Sequence, residues 1–361
     1  MSNNMPRYGV IMAGGGGTRF WPLSRQKTPK QMLNLTGNDL MINETVDRMA
    51  TAVPEDNIFI VTAAVQAPEM LTATASRVKP DHVLAEPAAR NTAACIGYAA
   101  MEIMKKYGDG VMLITPADHY IKDVPTLTQV FNTAIDTAEN ADKLVTIGIT
   151  PTYPSTGFGY IKYRNGDDVA KAVIEFREKP DAATAQQYVD SGEYAWNSGM
   201  FIWKAGVILA KFKEYIPDIY ADLEKIGDAM GTENEHQVLN EVYPNIRKIS
   251  IDYAVMEPSA TKGDVLTVQG DFGWNDVGSW DMMTVLHEPD ENGNVLLGNT
   301  LTVNTTNSIC YSSGKLVSVV GMDNVVVVET PDAIMVCPKD KAQNVKLIVD
   351  KLSEQGKKEY L

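Results

Sequence analysis

Cysteine and histidine are scarce in this chain, with three and four respectively among 361 residues. Cys95, Cys310 and Cys337 are odd in number and lack metal-ligand spacing. Neither a disulfide framework nor a cysteine metal site is therefore expected, and buried reduced thiols fit better. The histidines form no cluster. Long apolar runs are missing too: none reaches membrane-spanning length, and Met1–Tyr8 carries no signal core. A soluble, cytoplasmic protein with no membrane partner is the expectation. Positive charge is short, with 32 basic against 46 acidic residues and a net charge of −14. That argues against a surface for nonspecific nucleic-acid binding, which needs basic stripes to displace counterions. Two common phosphate signatures are absent as well. No Gly-x4-Gly-Lys-Ser/Thr string exists, and counting Gly-x-Gly-x-x-Gly from Gly14 puts Arg19 at the third glycine.

What is present is a regular alternation in the first part. Tyr8–Met12, Asn57–Thr62, His82–Ala85, Val111–Thr115 and Leu144–Ile149 read as strands. Between them, Asp39–Thr51, Val65–Val78, Asn91–Tyr107 and Thr126–Glu139 read as helices. Such alternation predicts an α/β fold: a mostly parallel, Rossmann-like sheet with helices on both faces. From Thr150 to Asp290 the pattern is mixed. Tyr160–Tyr163 and Val173–Glu178 read as strands facing a site, and Ala182–Ser191, Ala205–Phe212 and Glu235–Val242 as helices. The tail carries short β-rich runs at intervals of roughly eight residues, predicting a small module of stacked or coiled strands closed by a helix over Lys339–Gln355. The expected division is a catalytic domain over 1–290 and a β-helix-like module over 291–361.

One segment breaks the acidic balance. Between Ala13 and Asn38 there are four basic residues, Arg19, Arg25, Lys27 and Lys30, and no acidic one. The stretch Ala13, Gly14, Gly15, Gly16, Gly17, Thr18, Arg19 directly follows the first strand. Consecutive glycines let backbone N–H groups turn toward a phosphate, and Thr18 and Arg19 add a hydroxyl and a charge fork. A merely flexible turn is the bland alternative, and four glycines beside an arginine at a strand end argue against it. Lys30 follows Pro29, which fixes the backbone before it. A lone lysine there is usually a solvated charge, but the neighbouring loop makes a phosphate partner the better reading.

These strings resemble a known family. Gly14–Arg19 with Pro22–Arg25 and Pro29–Gln31 is similar to the signature of the nucleotide-diphospho-sugar pyrophosphorylases. Phe20–Arg25 is similar to its mannose-1-phosphate guanylyltransferase branch. The resemblance implies that the loop wraps a triphosphate, with Arg19 and Lys30 stabilising phosphate charge.

Magnesium takes one or two carboxylates plus substrate oxygens and water. Asp118 follows the strand Val111–Ile114, where a capping role is the plain alternative. Asp276 lies among Gly273, Trp274, Gly278 and Trp280, a turn that could equally be a packing corner. The resemblance implies that Asp118 and Asp276 share Mg2+, although Asn275 stands where the family usually has serine. His119 reads as structural. Glu86, Asn91 and Thr92 lie in a string similar to the family's guanine border, and Asn91 alone reads as a helix N-cap. Glu178 and Lys179 would otherwise read as a surface ion pair, and Asn197 as a turn residue. The resemblance instead makes Gly159, Glu178, Lys179 and Asn197 a sugar site.

It implies a transferase for GTP and mannose 1-phosphate that acts as a homo-oligomer, a dimer, without the isomerase domain appended in longer relatives. Attack by an already anionic phosphate needs no general base, and none is evident. The same chemistry on another sugar or nucleotide is one alternative, favoured less by the Phe20–Arg25 and Arg90–Ala93 strings. A non-catalytic regulatory subunit is the other, and the presence of Lys30, Asp118 and Asp276 counts against it.

Overall fold

Several strands of this chain are apolar without interruption, and only a sheet covered on both faces can bury such strands. The computed structural model describes residues 5–361; Met1–Asn4, part of the stretch read for a signal core, lie outside the described residues. The strands of the first part are β1 (Arg7–Met12), β2 (Ile58–Ala63), β3 (Val83–Glu86), β4 (Val111–Pro116), β5 (Tyr120–Ile121), β6 (Leu144–Ile149), β7 (Gly159–Tyr163), β8 (Ala170–Glu178), β9 (Tyr194–Lys204) and β10 (Val265–Gly270). All but β5 form one nine-stranded sheet in the order β3-β2-β1-β4-β9-β6-β10-β8-β7. The helices are α1 (Met41–Met49), α2 (Ala67–Ala73), α3 (Asn91–Lys106), α4 (Val124–Asn140), α5 (Ala182–Ser191), α6 (Ala205–Tyr215), α7 (Pro217–Ala229) and α8 (Glu235–Val242). Along β1, Tyr8 and Val10 pack with α3, α6 and α7, while Ile11 packs with α1 and α4. Successive side chains enter opposite layers, as the two-residue strand period requires.

The expected parallel winding holds for β3-β2-β1-β4 and for β6 with β10. It is interrupted by β9, which runs antiparallel to both β4 and β6 and joins the two halves. The sequence reading has no counterpart for β9, β10 or α7. Asn197 looked like a turn residue, yet it lies inside β9. The register between β6 and β9 shifts at this point, and Gly199 takes φ 71°. A bulge, rather than a turn, accounts for the Asn-Ser-Gly string. Level strand ends gather the connections: Met12 pairs with Val61 and Pro116, Ala63 with Glu86, and Gly148 with Asn197. The loops after β1, β3 and β4 therefore leave one edge of the sheet beside Asn197.

The chain continues through α9 (Glu257–Thr261), β11 (Trp274–Asn275) and α10 (Met283–Leu286) to six short strands: β12 (Val295–Leu297), β13 (Thr300–Val303), β14 (Ile309–Ser312), β15 (Val317–Val320), β16 (Val325–Glu329) and β17 (Ile334–Pro338). β12, β14 and β16 stack in parallel, as do β13 and β15, giving successive turns of a coil. The predicted closing helix is split into a 3₁₀ stretch over Lys339–Val345 and α11 (Lys346–Glu354). Of the cysteines, Cys95 and Cys310 are buried and free, and Cys337 is half-buried and free. Among the described residues no helix is long and apolar enough to cross a membrane.

The coil does not stand apart from the glycine loop. Phe20, Trp21, Val277 and Trp280 share one apolar cluster with Val295, Ile309, Val326 and Val345. Phe20 and Trp280 lie 5.3 Å apart by ring centroid, and the Trp280 indole N–H donates to the Trp21 carbonyl at 3.1 Å. The Trp21 indole N–H donates to the Tyr360 carbonyl at 2.9 Å, and Arg25 pairs with Asp332 at 2.9 Å. Truncating a large buried aromatic costs about 3–5 kcal/mol. Trp280→Ala is expected to lose stability on that scale in urea unfolding. A loss below about 1 kcal/mol would show that this cluster is not a joint core.

Candidate active site

The loop after β1 is held by its carbonyls. Those of Ala13 and Gly15 accept from the Gln31 side-chain amide, and that of Gly17 accepts from Ser24 Oγ at 2.8 Å. None of the backbone N–H groups from Gly14 to Arg19 has an acceptor among the described residues. Gly14, Gly15, Gly16, Thr18 and Arg19 are exposed. A row of free donors on an anchored loop forms a concavity for an anion. Gly17 has φ 56°, and a Cβ there would lie 2.2 Å from Lys30 Cβ. Only glycine allows the loop to lie this close to Lys30.

Lys30 is 3% exposed. Its Nζ donates to the Asp118 carboxylate at 2.9 Å, the Asp118 carbonyl at 2.8 Å and the Asp276 carbonyl at 2.6 Å. All three ammonium donors are taken. The free phosphate-facing ammonium expected from the sequence is, in this arrangement, a strut between two carboxylate-bearing segments. The same segments are joined through their backbones, where β5 pairs antiparallel with β11.

Burial tends to raise the Asp118 carboxyl, but the adjacent Lys30 ammonium and His119 outweigh it and hold it below the ordinary value. The Asp276 carboxyl is pushed up, first by burial and then by Asp118, with Lys30 and Arg19 offsetting part of the effect. Gly278 packs on Asp276, where a Cβ would lie 3.2 Å from Oδ2. Val277 has φ 45°, a strained value for a β-branched residue, and its N–H donates to Asn275 Oδ1 at 2.7 Å. Asn275, atypical by resemblance, thus supports the turn that presents Asp276. Among the described residues no group of three or more His, Cys, Asp or Glu side chains is placed to hold a metal. Two carboxylates nevertheless match what magnesium takes from protein when phosphates and water complete its shell. The Asp276 carboxyl is raised by burial first and by the Asp118 charge second, and a divalent cation bound there would offset both.

His119 is buried, and that burial lowers its pKa to about 4. Its Nδ1 accepts from the Trp274 indole at 3.1 Å. It is therefore a neutral packing residue, as read from the sequence.

At the β3 end, Glu86 is buried and accepts from the Tyr243 hydroxyl. Its Oε2 lies 2.9 Å from where a Gly14 Cβ would stand, so it sits under the start of the loop. The expected N-cap role of Asn91 needs correction. Arg90 holds the cap position, and Asn91 has φ 68° with Oδ1 accepting from the adjacent Thr92 N–H at 2.8 Å. A helix-capping side chain would reach a donor two or three residues on. Thr92 Oγ1 accepts from the Ile251 N–H at 2.9 Å.

Gly159, Glu178 and Asn197 come together on the neighbouring strands β7, β8 and β9, with Lys179 just past the end of β8. Gly159 is in register with Glu178, and a Cβ on it would lie 3.5 Å from Asn197 Cβ. Lys179 pairs with Glu178 at 3.2 Å. Asp252, which no sequence signal marked, joins them: its Oδ1 accepts from Asn197 Nδ2 at 2.8 Å. It begins a π-helical turn over Asp252–Met256, a local geometry frequent at functional sites and invisible in residue pattern. Burial first, then the Glu178 charge, raises the Asp252 carboxyl to about 6.

Gly17, Arg19, Lys30, Asp118 and Asp276 line a cleft of about 370 Å³. A second cavity of about 450 Å³ continues from Arg19, Asp276 and Gly278 to Tyr153–Phe158, the segment that leads into Gly159. Tyr153, Gln343 and Lys346 also line these spaces and were not singled out in the sequence.

Residues 8–292 match the family model described as nucleotidyl transferase. Residues 298–352 match a MannoseP isomerase/GMP-like beta-helix domain. The chain is 40% identical over 362 residues to the xanthan biosynthesis protein XanB of Xanthomonas campestris, covering 99% of this chain and 75% of that one. It is 39% identical to an Escherichia coli protein named mannose-1-phosphate guanylyltransferase, covering 98% and 75%. A solved Thermus thermophilus structure, titled mannose-1-phosphate geranyltransferase, superposes with a TM-score of 0.86 at 31% identity, covering 97% of this chain and all of that one.

The raised Asp252 carboxyl has a stability consequence. Between the ordinary aspartate value of 3.8 and about 6, the folded chain keeps a proton that the unfolded chain has released. Its contribution is full below that window and is lost as pH rises through it. Asp252→Asn removes the titration. Its stability relative to the parent chain is expected to rise between pH 4 and pH 6.5, read from urea midpoints; a pH-independent difference would refute the assignment.

Proposed function

The chain belongs to the nucleotidyl transferase family, and on that footing we propose that it transfers GMP from GTP to α-D-mannose 1-phosphate, releasing GDP-mannose and pyrophosphate. The observation that carries this reading is the convergence in one cleft of the donor loop with Arg19, Asp118 and Asp276. The mannose and guanine assignments draw on the relatives' names and on the strings Phe20–Arg25 and Arg90–Ala93.

A phosphate monoester has a second pKa of about 6, so the attacking oxygen of mannose 1-phosphate is already anionic near neutral pH. No proton needs removing, which suits a cleft whose histidine is neutral and engaged with Trp274. Catalysis is then positioning and charge stabilisation along an in-line displacement at the α-phosphorus. The N–H groups of Gly14–Arg19 hold the phosphate chain, and the Arg19 guanidinium meets charge on the leaving pyrophosphate. Glu86, Asn91 and Thr92 flank the base end of the loop. Glu178 and Asn197 receive sugar hydroxyls, Lys179 meets the sugar phosphate, and Gly159 leaves room for the ring. Lys30 acts at one remove, fixing Asp118 and Asp276 relative to each other. Members of the family generally use a divalent metal; here Mg2+ held by Asp118 and Asp276 would neutralise phosphate charge when bound.

Purified protein with Mg2+, mannose 1-phosphate and each nucleoside triphosphate in turn, followed by pyrophosphate release, tests the assignment. GTP is expected to give the fastest release, and chelation of the metal to stop it. Faster release with UTP or dTTP and glucose 1-phosphate would replace the assigned substrates. Lys30→Ala is expected to lower turnover by on the order of 10², the scale for letting catalytic groups shift out of position. Turnover within about threefold of the parent would remove Lys30 from the machinery.

A further inference from the structure

We propose that Lys346, supplied by the C-terminal module, binds the terminal phosphates of the nucleotide and the pyrophosphate that leaves. The proposal deepens the function argued above and rests on it. It begins from a shortage of positive charge. The leaving group is a polyanion, yet Lys30 has spent all three donors on Asp118 and the Asp276 carbonyl. Of the basic residues in the first part of the chain, only Arg19 and Lys30 line the main cleft. A second available cation is required, and Lys346 lines the same space.

Lys346 opens α11, is exposed, and has no carboxylate partner among the described residues. Of the module's other lysines, Lys341 pairs with Asp340 at 3.2 Å and Lys315 lies 3.9 Å from Glu329, while Lys339, Lys351, Lys357 and Lys358 lack a carboxylate partner as Lys346 does but do not line this cleft. In a chain of net charge −14, an unpaired lysine facing a cleft is a specific arrangement.

Its position is fixed from two sides. Gln343, one turn earlier, donates to Ser279 Oγ at 2.7 Å, within the segment that presents Asp276. Val349, one turn later, lines a small cavity with Gly16 and Thr18 of the donor loop and packs against the cluster of Phe20 and Trp21. The first turn of α11 thus bridges the loop and the Asp276 turn.

Direction along the loop selects which phosphates Lys346 meets. Gly14 lies over Glu86, which the functional reading above puts at the base end, whereas Gly17 to Arg19 share their cleft with Lys346. The sugar cavity leaves in another direction, past Asp276 toward Phe158. Lys346 therefore faces the end of the triphosphate farthest from the base, where the bond to the α-phosphorus leaves pyrophosphate behind.

The test uses the full chain with Lys346→Gln, Lys346→Arg and, as a control on the same helix, Lys351→Gln. Two measurements run in parallel: calorimetric titration with inorganic pyrophosphate and Mg2+, and steady-state rates against each substrate. A charge-assisted contact of this kind corresponds to about a tenfold change or more. Lys346→Gln is expected to weaken pyrophosphate binding and to raise KM for GTP by about tenfold. The KM for mannose 1-phosphate and the urea midpoint should stay within about twofold of the parent, and Lys346→Arg should recover most of the loss. If the parent enzyme makes GDP-mannose while Lys346→Gln binds pyrophosphate as the parent does, or if Lys351→Gln shows an equal loss, the inference fails alone. If the parent makes no nucleotide sugar but pyrophosphate affinity still drops in Lys346→Gln, the phosphate contact stands and the functional reading falls.

Discussion

One buried ammonium organises this site. The Nζ of Lys30 is shared between the side chain and carbonyl of Asp118 and the carbonyl of Asp276. These groups come from segments 88 and 246 residues away in sequence. A charge with all its donors filled by anionic and carbonyl oxygens offsets its own desolvation, whereas a partner left alone would be a buried charge without compensation. Other features serve that contact. Gly17 keeps its Cβ position empty so that Lys30 can approach, and Pro29 fixes the backbone before it. The β5–β11 pairing brings the two segments together. Removing the loop's glycine or the ribbon would disturb the cation before it disturbed any substrate.

The site reads from sequence where chemistry is local. A run of glycines ending in arginine at a strand end suggests an anion loop, and the structure places that run after β1 with its N–H groups unpaired among the described residues. Asp118 was legible for the same reason, since it follows a strand whose carboxyl end opens on the sheet edge. Lys30 was legible as a fixed lysine but not as a strut, because its partners lie on distant segments. Asn197 and Asp252 mark the other limit. One sits in a bulge that looks like a turn, and the other in a π-turn that has no residue signature. The Asn197–Asp252 hydrogen bond spans 55 residues and exists only through tertiary packing.

The coil at the end of the chain was legible as β-rich but not as part of the cleft. Spacing of β runs reports the coil's own stacking and nothing about which surface it covers. That surface is set by Phe20, Trp21 and Trp280, which are apolar at positions where a loop would ordinarily be polar. Without the coil, these rings would face water and the donor loop would lose its backing. The module is best viewed as the rear wall of the glycine loop.

The reversed strand β9 has a bearing on how the molecule is assembled. β4 and β6, which both run antiparallel to it, meet only through it, so the two halves cannot join before residue 204 is available. Until then two rows of backbone donors and acceptors stand open, a template for pairing with another chain. During synthesis the nascent half-sheets therefore pass through an interval of adhesiveness that ends only when the Tyr194–Lys204 segment slots between them.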